Sequence, residues 1–278
     1  MIMVARALGP EGRGLAVSII AISTALPAVL GFGIPLVVRR LVSEGRESQA
    51  FGDSRSFLYR LTPASLGFAV LATLPYSSVL DRTELLSAGL LFFLTPMAVF
   101  GRIIKETLAA RRQYRAQSLV FASQSAGTLV ATTVFFWFGE LTLASAIAAQ
   151  IVGLIFLWTL GLAMVRPAFI RSDYRQLLHE AKAFWLQDCL KEVRERLDVM
   201  LAVPLLGASY AGIYSVAIAI AATPSVIGYA IGVRVFPLFI QSNNREHGGI
   251  YASYSALTFL ITLLACVPIA AVIPFLVG

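Results

Sequence analysis

Gln187–Asp198, QDCLKEVRERLD, places seven ionisable residues in twelve positions of a chain that is 58% hydrophobic and only 13% charged. At about 100° per residue, Asp188, Lys191, Glu192, Arg194, Glu195, Arg196 and Asp198 fall on one broad arc. Leu186, Leu190, Val193, Leu197, Met200 and Leu201 fall on the other. Such a pattern is a helix with two faces. Lys191/Glu195, Glu192/Arg196 and Arg194/Asp198 are opposite-sign i,i+4 pairs, so much of the charge is neutralised along the helix itself. Everything around this stretch reads as membrane, and where the charged helix lies decides how the chain is built.

Working outward, mean hydropathy is +0.80 over 278 residues, and apolar runs of bilayer-crossing length extend from end to end. In lipid the backbone must satisfy its own hydrogen bonds, and runs without strict alternation select helices over a barrel. The expected fold is an all-α, multi-pass transmembrane helical bundle. The net charge of +7 rests on 22 Lys and Arg. These sit beside apolar segments, where they set topology and meet anionic headgroups, so no nucleic-acid partner is expected. Cys189 and Cys266 lack metal-ligand spacing and are too few for a disulfide framework. His179 and His247 stand far apart with no motif around either. No metal, cofactor or catalytic residue is therefore expected, and the chain is not read as an enzyme. The opening MIMVARALGP has the wrong flanks for a cleaved signal peptide and resembles the last turns of a helix.

Apolar spans are expected at about 14–38, 57–80, 85–104, 117–138, 142–165, 184–206, 211–240 and 250–277. Alternate connections sort the charge. The segments 39–60, 102–115, 166–182 and 234–245 hold 16 basic residues, whereas the other class holds only Arg6, Arg13 and Arg82. That asymmetry makes the first class cytoplasmic and leaves short loops outside.

Leu8-Gly9-Pro10-Glu11-Gly12-Arg13-Gly14-Leu15 and Leu206-Gly207-Ala208-Ser209-Tyr210-Ala211-Gly212-Ile213 share LG, four residues, then G. Ala28–Ile34 resembles Ser225–Ile231 at nearly the same offset. Six helices separate the copies, so both begin on the same side of the membrane as parallel repeats. The organisation expected is a first lobe at 1–165, a cytoplasmic linker at 166–183 and the start of a second lobe at 184–278. The helix preceding Leu206 has no full counterpart before Leu8, so a chain truncated at both ends is expected.

The same residues carry a family resemblance. Arg6-Ala7-Leu8-Gly9-Pro10-Glu11-Gly12-Arg13-Gly14 resembles the R-x-LGPE-x-x-G of Wzx-type lipid-linked oligosaccharide flippases. Arg196-Leu197-Asp198, then Leu206-Gly207 and Gly212-Ile213-Tyr214-Ser215-Val216-Ala217, resembles their R-x-D…LG…GxYSxA stretch. These are polysaccharide biosynthesis proteins of the multidrug/oligosaccharidyl-lipid/polysaccharide exporter superfamily. The resemblance implies two lobes around a central cavity in a bacterial inner membrane. It also implies alternating-access transfer of a polyprenyl-diphosphate-linked glycan for O-antigen or exopolysaccharide synthesis, alongside polysaccharide polymerase and chain-length proteins. Set against the family, the chain is expected to lack most of the first helix and everything after the ninth.

If the charged stretch spans, its ionisable residues reach the hydrocarbon and must face protein or water. Lys191, Arg194, Arg196 and Arg6 are then cavity candidates for substrate binding, and Glu195 and Asp198 are candidates for ion coupling. Alternatively, the charged half lies flat at the interface as an amphipathic helix, with only Val199 onward entering the bilayer. Two other functions stay open at this level: a drug or metabolite antiporter of the same superfamily, and a membrane glycan polymerase or ligase.

Overall fold

A computed structural model describes residues 2–166, 174–222, 254–261 and 263–264. Every regular element among them is helical. In order these are α1 (Ile2–Leu30), α2 (Ile34–Ser43), α3 (Glu47–Thr73) with a 3-10 turn (Leu74–Tyr76), α4 (Arg82–Phe93), α5 (Thr95–Ala110), α6 (Tyr114–Trp137), α7 (Leu143–Val165), α8 (Tyr174–Leu206) and α9 (Ala208–Ala221). Four segments are long and apolar enough to cross a membrane: Arg6–Leu30, Glu47–Tyr76, Tyr114–Trp137 and Leu143–Val165. Counted as one span, the bent pair α4 and α5 makes a fifth. The chain is thus an all-α, multi-pass membrane bundle. Most of the expected spans at 211–240 and 250–277 lies outside the described residues. Residues 1–212 form one compact unit and 213–278 another.

Several boundaries differ from the apolar pattern for physical reasons. The span expected at 14–38 is two elements, because the chain turns at Gly31–Gly33 and Phe32 takes a positive φ of 47°. The continuation, α2, buries Ile34, Val37, Val38 and Leu41 and leaves Arg39 and Arg40 exposed. The basic segment 39–60, expected as a connection, is mostly helix, since α3 begins at Glu47.

The span expected at 85–104 bends by 41° between α4 and α5. Pro96 has no N–H to offer the Phe92 carbonyl. Thr95 supplies the replacement, its Oγ1 donating to the Phe92 oxygen at 2.5 Å. Beyond the bend, α5 continues to Ala110, so Arg102 and Lys105 belong to helix and not to the loop in which charge grouping placed them. The expected short connections are there: Asp81 and Glu84 form a capping box that starts α4, and Thr142 with Ser145 does the same for α7.

The 1–212 unit packs around two large apolar clusters and a small one at Val4, Leu141 and Ala146. Of the large ones, one joins α2, α3, α5 and α7 through Val37, Phe51, Ile103, Ile104 and Leu157. The other joins α1, α4 and α7 through Leu15, Ile19, Phe92 and Ile147. A buried Ser18 Oγ–Tyr76 hydroxyl bond of 2.6 Å ties α1 to the turn after α3.

Both LG segments turn at a glycine of positive φ. Gly9 breaks α1 with φ 65°, and Gly207 separates α8 from α9 with φ 85°. These left-handed values cost glycine little. Five residues on in each copy, the segments press on one another reciprocally. A Cβ on Gly14 would overlap the Ala208 carbonyl, and a Cβ on Gly212 would overlap the Pro10 carbonyl. Pro10 and Ala208 are themselves matched positions, so repeat-related backbones cross through repeat-related glycines.

Candidate functional site

A cavity of about 880 Å3 opens within the 1–212 unit, walled by α1, α5, α6, α7 and α8, with Leu91 of α4 also lining it. Its charged lining comes from α5 and α8 alone: Arg102, Lys105, Glu192 and Arg196. Its uncharged polar lining comes from the other walls: Ser23 and Thr24 of α1, Gln124, Ser125, Thr128 and Thr132 of α6, and Gln150 of α7.

On α5, Arg102 and Lys105 are three residues apart and so lie on one face. Arg102 reaches across to α8, where its Nη2 donates to Asp188 Oδ1 at 2.6 Å. Asp188 is 5% exposed, so the pair is largely withdrawn from water. Arg102 Nη1 and Asp188 Oδ2 are buried without a hydrogen-bond partner among the described residues. Lys105 makes no ion pair among the described residues. Its Nζ lies 3.4 Å from Gln124 Oε1 and 4.5 Å from the Phe121 ring centroid, a cation–π contact.

Helix α8 is 33 residues long, about 50 Å at 1.5 Å per residue. Its start is anchored to the α1–α2 turn. Trp185 Nε1 donates to the Val29 carbonyl at 2.8 Å, and its ring stacks on Phe32 at 5.6 Å. Glu180 pairs with Arg40.

Around its circumference α8 carries three sectors rather than two. Ala181, Asp188, Glu192 and Arg196 turn inward, the last two into the cavity. Leu186, Leu190, Val193, Leu197 and Leu201 are all exposed. Lys191, Arg194, Glu195 and Asp198 form an exposed polar sector between them. A soluble amphipathic helix has its apolar face buried; here the inward sector carries Asp188, Glu192 and Arg196 and the apolar sector is exposed among the described residues, the arrangement of a helix with lipid on one side and a polar interior on the other.

Of the residues singled out from the sequence, the structure brings Arg196 into the cavity, where its Nε sits 3.4 Å from Glu192 Oε2. Lys191, Arg194, Glu195 and Asp198 occupy the exposed sector. Arg194 pairs there with Glu195 at 3.8 Å, and Asp198 accepts from the Val199 amide at 2.8 Å. Arg6 is exposed, although nearby Met3 and Val4 line the cavity.

Arg102, Lys105 and the α6 polar residues were not singled out. Charge grouping assigned the first two to a basic loop, yet their i,i+3 spacing ahead of Arg111-Arg112 already marks one helical face. The polar positions of α6 recur at 124, 125, 128 and 132 inside an apolar run, which is also a readable signal.

A family model described as "Polysaccharide biosynthesis protein" matches residues 1–243, a stretch that contains every wall of this cavity. No curated protein and no solved structure gives a match.

Proposed function

The chain belongs to the polysaccharide biosynthesis protein family, and from that premise we propose that it is a flippase for a polyprenyl-diphosphate-linked oligosaccharide. The cytoplasmic leaflet of a bacterial inner membrane is the proposed donor side, and the outer leaflet the receiving side. The observation that carries the reading is the cavity itself: cationic side chains on α5 and α8 face a wall of amides and hydroxyls within a bundle of membrane-length helices. Charges at such depth cost a few kcal/mol each on insertion scales unless they meet protein, water or a ligand. Arg102 and Arg196 are fork-shaped donors suited to phosphate oxygens, and Lys105 is a compact cation held ready by a neutral amide and a ring.

In this reading no covalent bond changes. The diphosphate enters the cationic part of the cavity, the polyprenyl tail stays in lipid against the apolar sector of α8, and the two lobes exchange access. The glycan polymerase and chain-length proteins act on what is delivered outside. Deleting the gene tests the reading. Lipid-linked oligosaccharide should accumulate in the inner leaflet and return to outward transfer on complementation. Undiminished outward transfer in the deletion strain would sink it, and loss of oligosaccharide synthesis itself would point to an enzyme.

A further inference from the structure

The membrane-length helix α6 is apolar around most of its circumference, and Leu119, Val130 and Val134 are exposed on one side. Phe121, Gln124, Ser125, Thr128 and Thr132 occupy the opposite side at i, i+3, i+4, i+7 and i+11, and all five line the cavity. Eleven residues at 1.5 Å extend this stripe over about 16 Å. Gln150 of α7 lines the same cavity.

Hydroxyls inside membrane helices ordinarily turn back onto their own backbone. Elsewhere on α6 Ser123 does so, donating to the Val120 carbonyl at 2.7 Å, and Thr133 donates to the Leu129 carbonyl at 2.8 Å. Along the stripe this does not happen. Ser125, Thr128, Thr132 and Gln150 make no side-chain hydrogen bond among the described residues, and Gln124 uses only its oxygen, towards Lys105. Donors and acceptors are thus left unused along a helical track, the Thr128 hydroxyl lying against Gly153 of α7, and among the described residues no Asp, Glu, Lys or Arg of α1, α6 or α7 lines the cavity. Among the described residues Lys105, at the Phe121–Gln124 end, is the cavity cation outside an ion pair, since Arg102 pairs with Asp188 and Arg196 with Glu192.

We infer that this stripe is a binding track for uncharged sugar residues, running from Lys105 toward Thr132 so that the glycan lies along α6 while its diphosphate meets the α5 cations. The inference rests on the flippase reading. Sugar hydroxyls donate and accept at once, as do amides and hydroxyls, and an aromatic ring at the head of the stripe suits the apolar face of a sugar. A uronic acid on the track would be desolvated where Lys105 is the one cavity cation outside an ion pair among the described residues, and Lys105 is taken by the diphosphate, so it would bind at an energetic cost.

The test uses the full chain in detergent and three probes: a short-chain polyprenyl diphosphate, the same lipid carrying a neutral trisaccharide, and the same lipid carrying a trisaccharide with one uronic acid. The wild type should bind the neutral glycolipid roughly tenfold more tightly than the bare lipid, the equivalent of one or two hydrogen bonds. The acidic glycolipid should gain little. In S125A/T128V, a near-isosteric pair of changes, the ratio of neutral glycolipid to bare lipid affinity should fall to within about twofold of unity; Q124A/Q150A should do the same. A ratio unchanged in both variants, or an acidic glycolipid bound as tightly as the neutral one by the wild type, overturns the track. Absence of wild-type binding to the bare lipid diphosphate overturns the flippase reading beneath it, a distinguishable result.

Discussion

Asp188 and Arg102 show how much one residue's surroundings decide. The Arg39–Glu106 pair is 3.5 Å long and its arginine side chain is 48% exposed, so removing it is expected to change stability by less than about 1 kcal/mol. Asp188 is 5% exposed and faces a partly buried guanidinium. Asp188→Ala leaves that cation without its counter-charge, and we expect a loss of about 3 kcal/mol in detergent unfolding. The double variant R102M/D188L should recover much of it, because two apolar side chains leave no charge stranded. Equal losses for D188A and E106A would show that burial does not separate the pairs. Lys105 has the contrasting role. With no carboxylate partner among the described residues it contributes little to the fold, so Lys105→Met should leave the melting temperature within a few degrees while weakening lipid-diphosphate binding roughly tenfold. Unaltered affinity would remove Lys105 from the site. The Arg102–Asp188 contact joins residues 86 positions apart, and nothing local in either segment announces it. The i,i+3 spacing of Arg102 and Lys105, by contrast, was readable, and was obscured only by treating every basic cluster as a connection.

At the level of elements, α8 was partly legible. Its apolar arc and its charged arc follow from periodicity, but the division of the charged arc into a buried sector and an exposed one depends on α1, α2 and α5 packing against Ala181, Trp185 and Asp188. A cysteine scan in a C189S/C266S background tests the three sectors. Leu190→Cys, Val193→Cys and Leu197→Cys should resist a membrane-impermeant maleimide, since lipid covers them. Lys191→Cys, Arg194→Cys and Asp198→Cys should react. Reaction on both sectors would mean a helix lying in the interface, and protection of both would mean that no water reaches it. The break between α1 and α2 was less legible. Gly31, Gly33 and Pro35 interrupt the apolar run, but membrane helices tolerate each of them singly. What makes them a turn here is tertiary: Phe32 is drawn out to stack on Trp185, a contact with a helix more than 150 residues further along the chain. Charge patterning misplaced α5 for a related reason, because an arginine that ends a helix and one that crosses to a buried aspartate look identical in sequence.

At the level of the whole chain, the internal repeat was legible as LG, four residues, G, but its use was not. Sequence comparison says that two segments are alike; it does not say that they touch. In the structure Gly14 meets Ala208 and Gly212 meets Pro10 at one crossing, so the duplicated segment is packed against its own copy. The reciprocity makes a quantitative prediction. Gly14→Val and Gly212→Val each force side-chain atoms into a backbone carbonyl that has no flexible end to yield, so each should cost about 1–3 kcal/mol in detergent unfolding. Both substitutions push the same two backbones apart. Once the first has separated them, the second meets less resistance, and the double variant should lose less than the sum of the singles by at least about 0.5 kcal/mol. Gly67, where an added Cβ meets nothing, supplies the control: Gly67→Ala should not destabilise. Strict additivity of the Gly14 and Gly212 variants would show two independent contacts, and the repeat would then be a record of duplication without a joint mechanical role.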